Sequence, residues 1–125
     1  MIDNLMVGDW VYNKFNKQPE RVNEIYKSSL MLYYNDIYEL DDVELISLNP
    51  KILERNGFTL YNPGQSKTAP IYGITFPACN IVLAWVDYYW QLTIDSTVYR
   101  QIKIKYVNEL QHVLKLLNVK IEVVL

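Results

Sequence analysis

The residues of this chain that come nearest to a catalytic pattern are Asn108, Glu109 and His112. Their spacing matches the zinc-protease pattern His-Glu-x-x-His, except that asparagine stands where the first histidine is needed. That chemistry requires two imidazoles one helical turn apart to hold zinc, and a glutamate to activate the zinc-bound water. His112 is the only histidine, and a neutral carboxamide is a poor zinc ligand. We therefore predict no metal site here and place Glu109 and His112 on the solvated face of a helix.

Other catalytic patterns are also incomplete. Cys79, the only cysteine, would need a base such as His112 beside it, and nothing in the spacing brings the two together. The four glycines are scattered and form no phosphate-binding loop. A run of five acidic residues lacks the ligand spacing of a calcium loop and is interpreted as a solvated loop between strands: Asp36, Glu39, Asp41, Asp42 and Glu44. We expect a protein that is not an enzyme and has no cofactor.

Two groups of side chains could instead bind a partner. The chain has eleven tyrosines and three tryptophans, and small barrels bind extended peptides along aromatic grooves. The predicted aromatic surface comprises Trp10, Tyr12, Tyr33, Tyr34 and Tyr38. The alternative function is nucleic-acid binding through a basic patch at the start of the C-terminal helix, formed by Arg100, Lys103 and Lys105.

Composition limits the class of protein. With 125 residues, half of them hydrophobic, the chain can bury a sizeable core. Its net charge of −2 gives no global attraction to nucleic acids or to anionic membranes. One cysteine excludes an intramolecular disulfide, and no signal-peptide pattern or long apolar run is present. We therefore expect a cytoplasmic protein with no membrane partner. A protein or peptide partner is the first expectation, and a homo-oligomer stays open.

The elements that must position these residues fall into two predicted lobes, 1–60 and 61–125, divided at a proline-containing loop that begins at Asn62. In the first lobe, three short apolar runs lie within 7–34, and a fourth spans Val43 to Leu48. Short strands at this spacing favour a small closed barrel, because closure removes exposed sheet edges. The prediction is an α+β protein that opens with an SH3-like small β-barrel and a short helix.

The ends of that short helix are encoded locally. Asn49 can cap the first amides, and Pro50 loses no hydrogen bond at the first helical position. Gly57 can adopt the left-handed conformation that ends a helix, which brings Phe58 back towards Leu53. The pattern predicts a helix of about two turns.

The second lobe is predicted to be an antiparallel β-sheet packed against one long C-terminal helix. Apolar residues alternate from Ile81 to Asp95, which indicates either a hairpin reversing near Val86–Tyr88 or one bent strand. The apolar period becomes helical over 102–118, and Asn118 can end that helix. Residues 120–125 then predict a final strand.

Three segments carry a resemblance. The run from Gly8 to Val11, the run from Arg21 to Ile25 and the helix from Pro50 to Phe58 resemble a group of short uncharacterised proteins from gut Bacteroidetes and their phages. The segment from Tyr106 to His112 resembles the ending of the same group. Because the group has no known activity, the resemblance implies a phage or mobile-element source and transfers no site residues.

Overall fold

The computed structural model describes residues 4–33, 36–61 and 69–125; Tyr34 lies outside the described residues. The elements of the first part are β1 (Trp10–Asn13), β2 (Gln18–Ile25), β3 (Ser29–Leu32), β4 (Ile37–Glu39), a 3-10 helix (Leu40–Asp42), β5 (Val43–Leu45) and α1 (Pro50–Arg55). They are followed by β6 (Thr59–Leu60), β7 (Ile71–Thr75), β8 (Asn80–Val86), β9 (Tyr89–Ile94), β10 (Thr97–Ile104) and α2 (Val107–Leu116). Within these ranges, no helix is long and apolar enough to cross a membrane.

The ten strands form two antiparallel five-stranded sheets. One sheet has the order β4-β3-β2-β1-β5 and the other has the order β10-β9-β8-β7-β6. Their hairpin connections bring consecutive strands together, apart from β5, which pairs with β1. This arrangement confirms the predicted mixed, strand-rich class with antiparallel sheets.

The chain divides into two compact units. The first contains Met1–Ser47 and Tyr106–Gln111, and the second contains Leu48–Lys105 and His112–Leu125. The division differs from the predicted lobes, because α1 and β6 belong to the second unit and the start of α2 belongs to the first. Local sequence patterns could not show that a segment this far along the chain returns to the first unit.

The core of the first unit is a cluster of aliphatic residues on one side of its sheet. Its fully or almost fully buried members are Val11, Val22, Leu30, Leu32 and Val43. Burial alternates along β1, with Val11 and Asn13 buried and Trp10 and Tyr12 partly exposed. The segment before β1 is held by α2, since Gln111 Oε1 accepts from the Trp10 amide at 2.9 Å and Gln111 Nε2 donates to the Gly8 carbonyl at 3.0 Å.

The predicted acidic loop is corrected by the structure, because Asp36 precedes β4 and the other four acidic residues lie in β4, the 3-10 helix and β5. β5 then pairs with β1 in antiparallel register, with Val11 opposite Leu45. The two edge strands, β4 and β5, have three residues each. Among the described residues no closed barrel is found, so the predicted closure is not observed. Edges this short expose few unpaired backbone groups, and closure is not needed to protect them.

The sheet of the second unit confirms the hairpin alternative for residues 81–95. Val86 on β8 pairs with Tyr89 on β9, which leaves a two-residue turn. Asp87 takes a φ of 56° in that turn, which explains why no glycine signals it in the sequence. The core of this unit lies on one side of the sheet and includes Leu83, Trp90 and Leu92, each with 1% exposure or less.

Both ends of α1 confirm the sequence prediction. The Asn49 side chain accepts a hydrogen bond from the Ile52 amide at 2.9 Å. At the other end Gly57 has a φ of 90°, and the Phe58 amide donates to the Leu53 carbonyl at 3.0 Å. Leu53 and Phe58 are both buried.

The C-terminal helix is shorter than predicted, and its expected first turn is part of β10. Ile104 pairs with Trp90 on β9, and both side chains are buried. This cross-strand pairing, together with the β-branched residues of 97–104, outweighs the helical period in the sequence. Asn118, with a φ of 57°, follows the helix, as predicted.

The predicted final strand is also corrected, because residues 119–125 form no strand. Instead, the Asn56 side chain binds the Val124 backbone twice. Its Nδ2 donates to the Val124 carbonyl at 2.8 Å, and its Oδ1 accepts from the Val124 amide at 2.8 Å. A carboxamide thus takes the place of a neighbouring strand, and Val123 beside it is buried.

Candidate functional site

Two of the predicted aromatic residues lie on the face of the first sheet that points away from its core. Trp10 pairs with Arg21 across β1 and β2, and Tyr12 pairs with Pro19. The Arg21 guanidinium carbon lies 4.7 Å from the centroid of the Trp10 ring. That distance is within the range of a cation–π interaction, so the protein's own arginine already occupies one face of Trp10.

Tyr38 lies on the other side of the same sheet. It pairs with Leu30 across β3 and β4 and packs against the aliphatic core. Its ring lies 6.1 Å from that of Phe15, centroid to centroid, with the planes tilted by 45°. The structure therefore separates Tyr38 from Trp10 and Tyr12 and adds Phe15, which the sequence prediction did not include.

Phe15 is held out from the core by an ordered loop between β1 and β2. Its side chain is 73% exposed. The Asn13 side-chain oxygen accepts from the backbone amides of Phe15 at 2.9 Å and Asn16 at 3.2 Å, and the Lys14 amide donates to the Asp42 carbonyl at 3.0 Å. These bonds hold the backbone that presents the exposed ring.

A buried carboxylate lies beside this loop. Glu20 is 3% exposed, and its Oε2 accepts from Asn13 Nδ2 at 2.7 Å and from Asn16 Nδ2 at 3.1 Å. Asn16 Nδ2 also donates to the Tyr38 hydroxyl at 3.3 Å, so one carboxamide connects the aromatic pair to Glu20. We call Phe15, Tyr38, Asn16 and Glu20 the loop site.

The hairpin formed by β3 and β4 carries further exposed apolar side chains. Tyr33 is 65% exposed and Ile37 is 60% exposed. Tyr33 was part of the predicted surface, and Tyr38 on the same hairpin contacts Phe15. Exposed apolar side chains that lie close together in one hairpin mark a candidate interaction surface.

The two units differ strongly in charge. The first contains ten carboxylates and four basic side chains, a net charge of −6, and the second contains four and eight, a net charge of +4. The total of −2 conceals this division. The loop site and the β3–β4 hairpin therefore lie in an acidic unit.

The predicted basic patch lies on β10 instead of at the start of a helix. Arg100 and Lys103 belong to that strand, and Lys105 follows it. The pairing with β9 shifts between Tyr99 and Lys103, so the residues between them have no partner on β9. Lys103 Nζ lies 5.1 Å from the centroid of the Tyr89 ring.

Two residues of the incomplete zinc motif, Asn108 and Glu109, lie in the first turn of α2. Glu109 Oε1 accepts a hydrogen bond from the Tyr106 amide at 3.0 Å, which is the return bond of a helix-capping arrangement at the start of α2. Asn108 is 3% exposed, and its Oδ1 accepts no hydrogen bond from any residue that the structure describes. Across the described ranges, no group of three or more metal-binding side chains is found.

Sequence reasoning missed Phe15 because it weighed aromatic residues in strands above those in loops. The available signal was a large aromatic ring in the polar segment Asn13-Lys14-Phe15-Asn16-Lys17. An aromatic residue in a short polar connection has no core position to occupy, and its exposure is therefore expected.

Comparison with known proteins provides no further assignment. No protein-family model matches the chain, no curated protein matches its sequence, and no solved structure matches its fold.

Proposed function

We propose that this protein is a non-enzymatic, cytoplasmic binding module, from a phage or mobile element, that captures an extended segment of a partner protein through the first unit. The observation that carries the proposal is the Phe15 ring, which is 73% exposed and packs against the partly buried Tyr38, in a unit whose β3–β4 hairpin also exposes Tyr33 and Ile37. Rigid rings provide contact area at low cost in conformational entropy, which suits peptide capture.

An SH3-like architecture of the first unit is part of this proposal. Support comes from the strand order β4-β3-β2-β1-β5 and from the 3-10 helix between β4 and β5. β2 supports it further, because its eight residues pair with β1 on one side and with β3 on the other, with a register shift between Val22 and Glu24. A strand shared in this way lets a small sheet bend strongly.

Selection from a random library of extended peptides, displayed against the immobilised full chain, tests the function. We expect enriched peptides that shift the amide NMR signals of the β1–β2 loop and the β3–β4 hairpin. The variant Tyr33→Ala/Ile37→Ala should weaken their binding, because it removes exposed apolar contact area without touching the core. The matched control is Tyr88→Ala, which removes a ring that is 83% exposed in the second unit. A library without enriched peptides, or peptides that shift only signals of the second unit, would contradict the proposal.

The second candidate is nucleic-acid binding by the second unit. It is favoured by the charge of +4 and by Lys103 stacked on the Tyr89 ring, since single strands bind to basic surfaces that carry aromatic rings. This candidate predicts salt-sensitive binding of a single-stranded oligonucleotide that is lost in Lys103→Glu. Absence of oligonucleotide binding even at low salt would contradict this second candidate.

A further inference from the structure

The chemistry of the captured segment can be inferred if the proposed peptide-binding function is correct. We propose that the loop site binds the cationic side chain, an ammonium or a guanidinium, of a basic peptide. The rings of Phe15 and Tyr38 supply the binding surface, and the Glu20 carboxylate supplies the opposite charge.

The geometry of the ring pair suits a cation. The ring planes of Phe15 and Tyr38 are tilted by 45°, and the Phe15 side chain is 73% exposed. A cation is attracted to the face of an aromatic ring when it lies within about 6 Å of the centroid. The backbone of the loop that presents Phe15 is held by three hydrogen bonds donated by its amides, so little backbone entropy is lost when the site is occupied.

Glu20 is the second, independent indication. A carboxylate that is 3% exposed normally has a cationic partner, because desolvation of an unpaired charge is costly. Within the described ranges, its hydrogen-bond partners are two neutral carboxamides, those of Asn13 and Asn16. A ligand cation on the Tyr38 side of Asn16 would provide the opposite charge.

The surrounding charges favour the same ligand. Seven carboxylates lie on or near the elements that form the site, against three basic residues, Lys14, Lys17 and Arg21. These carboxylates belong to Glu20, Glu24, Asp36, Glu39, Asp41, Asp42 and Glu44. The cation–π contacts found in the described ranges involve Arg21 and Lys103, so neither lysine of the loop occupies the ring pair.

The test is a titration of the full-length protein with two probes, followed by amide NMR. One probe is a short glycine–serine peptide that carries lysines, and the other has norleucine, an uncharged side chain of similar length, in their place. We expect the lysine peptide to shift the amides of Phe15, Asn16 and Tyr38, and the norleucine peptide to leave them unchanged.

Substitutions identify the groups responsible. We expect Phe15→Ala to lower the affinity for the lysine peptide by about threefold. Phe15→Trp should retain or strengthen binding, since tryptophan is the best cation–π ring. Glu20→Gln should also weaken binding, with near-UV circular dichroism confirming that the fold persists. Tyr88→Ala, which removes a ring that is 83% exposed in the second unit, should have no effect.

Equal binding of the norleucine peptide, or full affinity in both Phe15→Ala and Glu20→Gln, would overturn the inference. The library selection separates this failure from failure of the proposed function. Enriched peptides without lysine or arginine that bind the β3–β4 hairpin would keep the function and overturn the cation site.

Discussion

Tyr72 is a buried tyrosine on β7 whose ionisation depends on the fold. Its hydroxyl donates to Glu54 Oε1 at 3.0 Å. Burial raises the pKa of Tyr72 above its ordinary value of 10.0, and the hydrogen bond to the Glu54 carboxylate raises it further. The folded protein therefore keeps the phenolic proton at a pH where the unfolded chain has already lost it.

We predict that Tyr72 makes the protein less stable at alkaline pH. Its contribution is complete below about pH 10 and is lost as the pH rises through the higher, folded-state pKa, because the unfolded state then binds fewer protons. In Tyr72→Phe, the free energy of unfolding should fall less between about pH 9 and pH 11 than in the wild type. Urea denaturation at several pH values measures this difference.

Tyr88→Phe is the matched control, because that ring is 83% exposed. Its pH dependence should follow the wild type. Parallel curves for Tyr72→Phe and the wild type would contradict the prediction.

At the scale of elements, the ring of Tyr61 packs over the backbone of Gly73 in the sheet of the second unit. Gly73 on β7 is opposite Val82 on β8 and Thr59 on β6. A Cβ atom at Gly73 would lie 2.3 Å from the Cζ atom of Tyr61, so the tyrosine ring occupies the space that the glycine leaves. The absence of a side chain at residue 73 thus positions Tyr61.

We predict that Gly73→Ala displaces the Tyr61 ring and destabilises the wild type by about 1 kcal/mol through the lost ring contact. In a Tyr61→Ala background, the same substitution should be neutral or stabilising by up to about 1 kcal/mol, because alanine reduces the entropy of the unfolded chain. Urea denaturation of the four proteins in the double-mutant cycle measures the coupling. Equal effects of Gly73→Ala in both backgrounds would exclude the ring contact.

The edge strand β10 has features that disfavour pairing with a strand of another chain. It has eight residues, but its register shift leaves Arg100–Ile102 without partners on β9. A bulge and positive charges on an edge strand both disfavour pairing with another chain. A homo-oligomer formed by continuation of this sheet is therefore not expected.

At the scale of the whole molecule, the first unit is discontinuous in sequence. It combines Met1–Ser47 with Tyr106–Gln111. The second segment supplies buried Val107 and Leu110, and the Val107 amide donates to the Ile46 carbonyl at 2.8 Å. These contacts connect residues that are far apart along the chain.

We predict that a fragment of residues 1–60, which corresponds to the first lobe expected from the sequence, does not fold stably. It lacks the buried Val107 and Leu110, and it lacks Gln111, which binds Gly8 and Trp10. Amide NMR of the fragment should show poorly dispersed signals. A second fragment, in which residues 105–118 follow residue 47 through a glycine–serine linker, should recover dispersion. A well-dispersed spectrum of the 1–60 fragment would show that the returning segment is dispensable.

The sequence by itself determined the features that depend on near neighbours in the chain. Asn49 and Gly57 specified the ends of α1, and the alternating residues of 81–95 specified strand structure, while the choice between a hairpin and one bent strand stayed open. Asn118, which follows α2 and stops it, was readable for the same reason. Caps, turns and periodicity act over a few residues, so local chemistry is enough to encode them.

Only the tertiary structure decided which local preference prevails and which side chains meet. It made residues 97–104 a strand, because Ile104 pairs with Trp90, and it held the C-terminal segment through the side chain of Asn56 instead of a neighbouring strand. It also split the predicted aromatic surface between two faces of one sheet and brought Phe15 to Tyr38. These outcomes depend on contacts between residues distant in the chain, and no local pattern encodes such contacts.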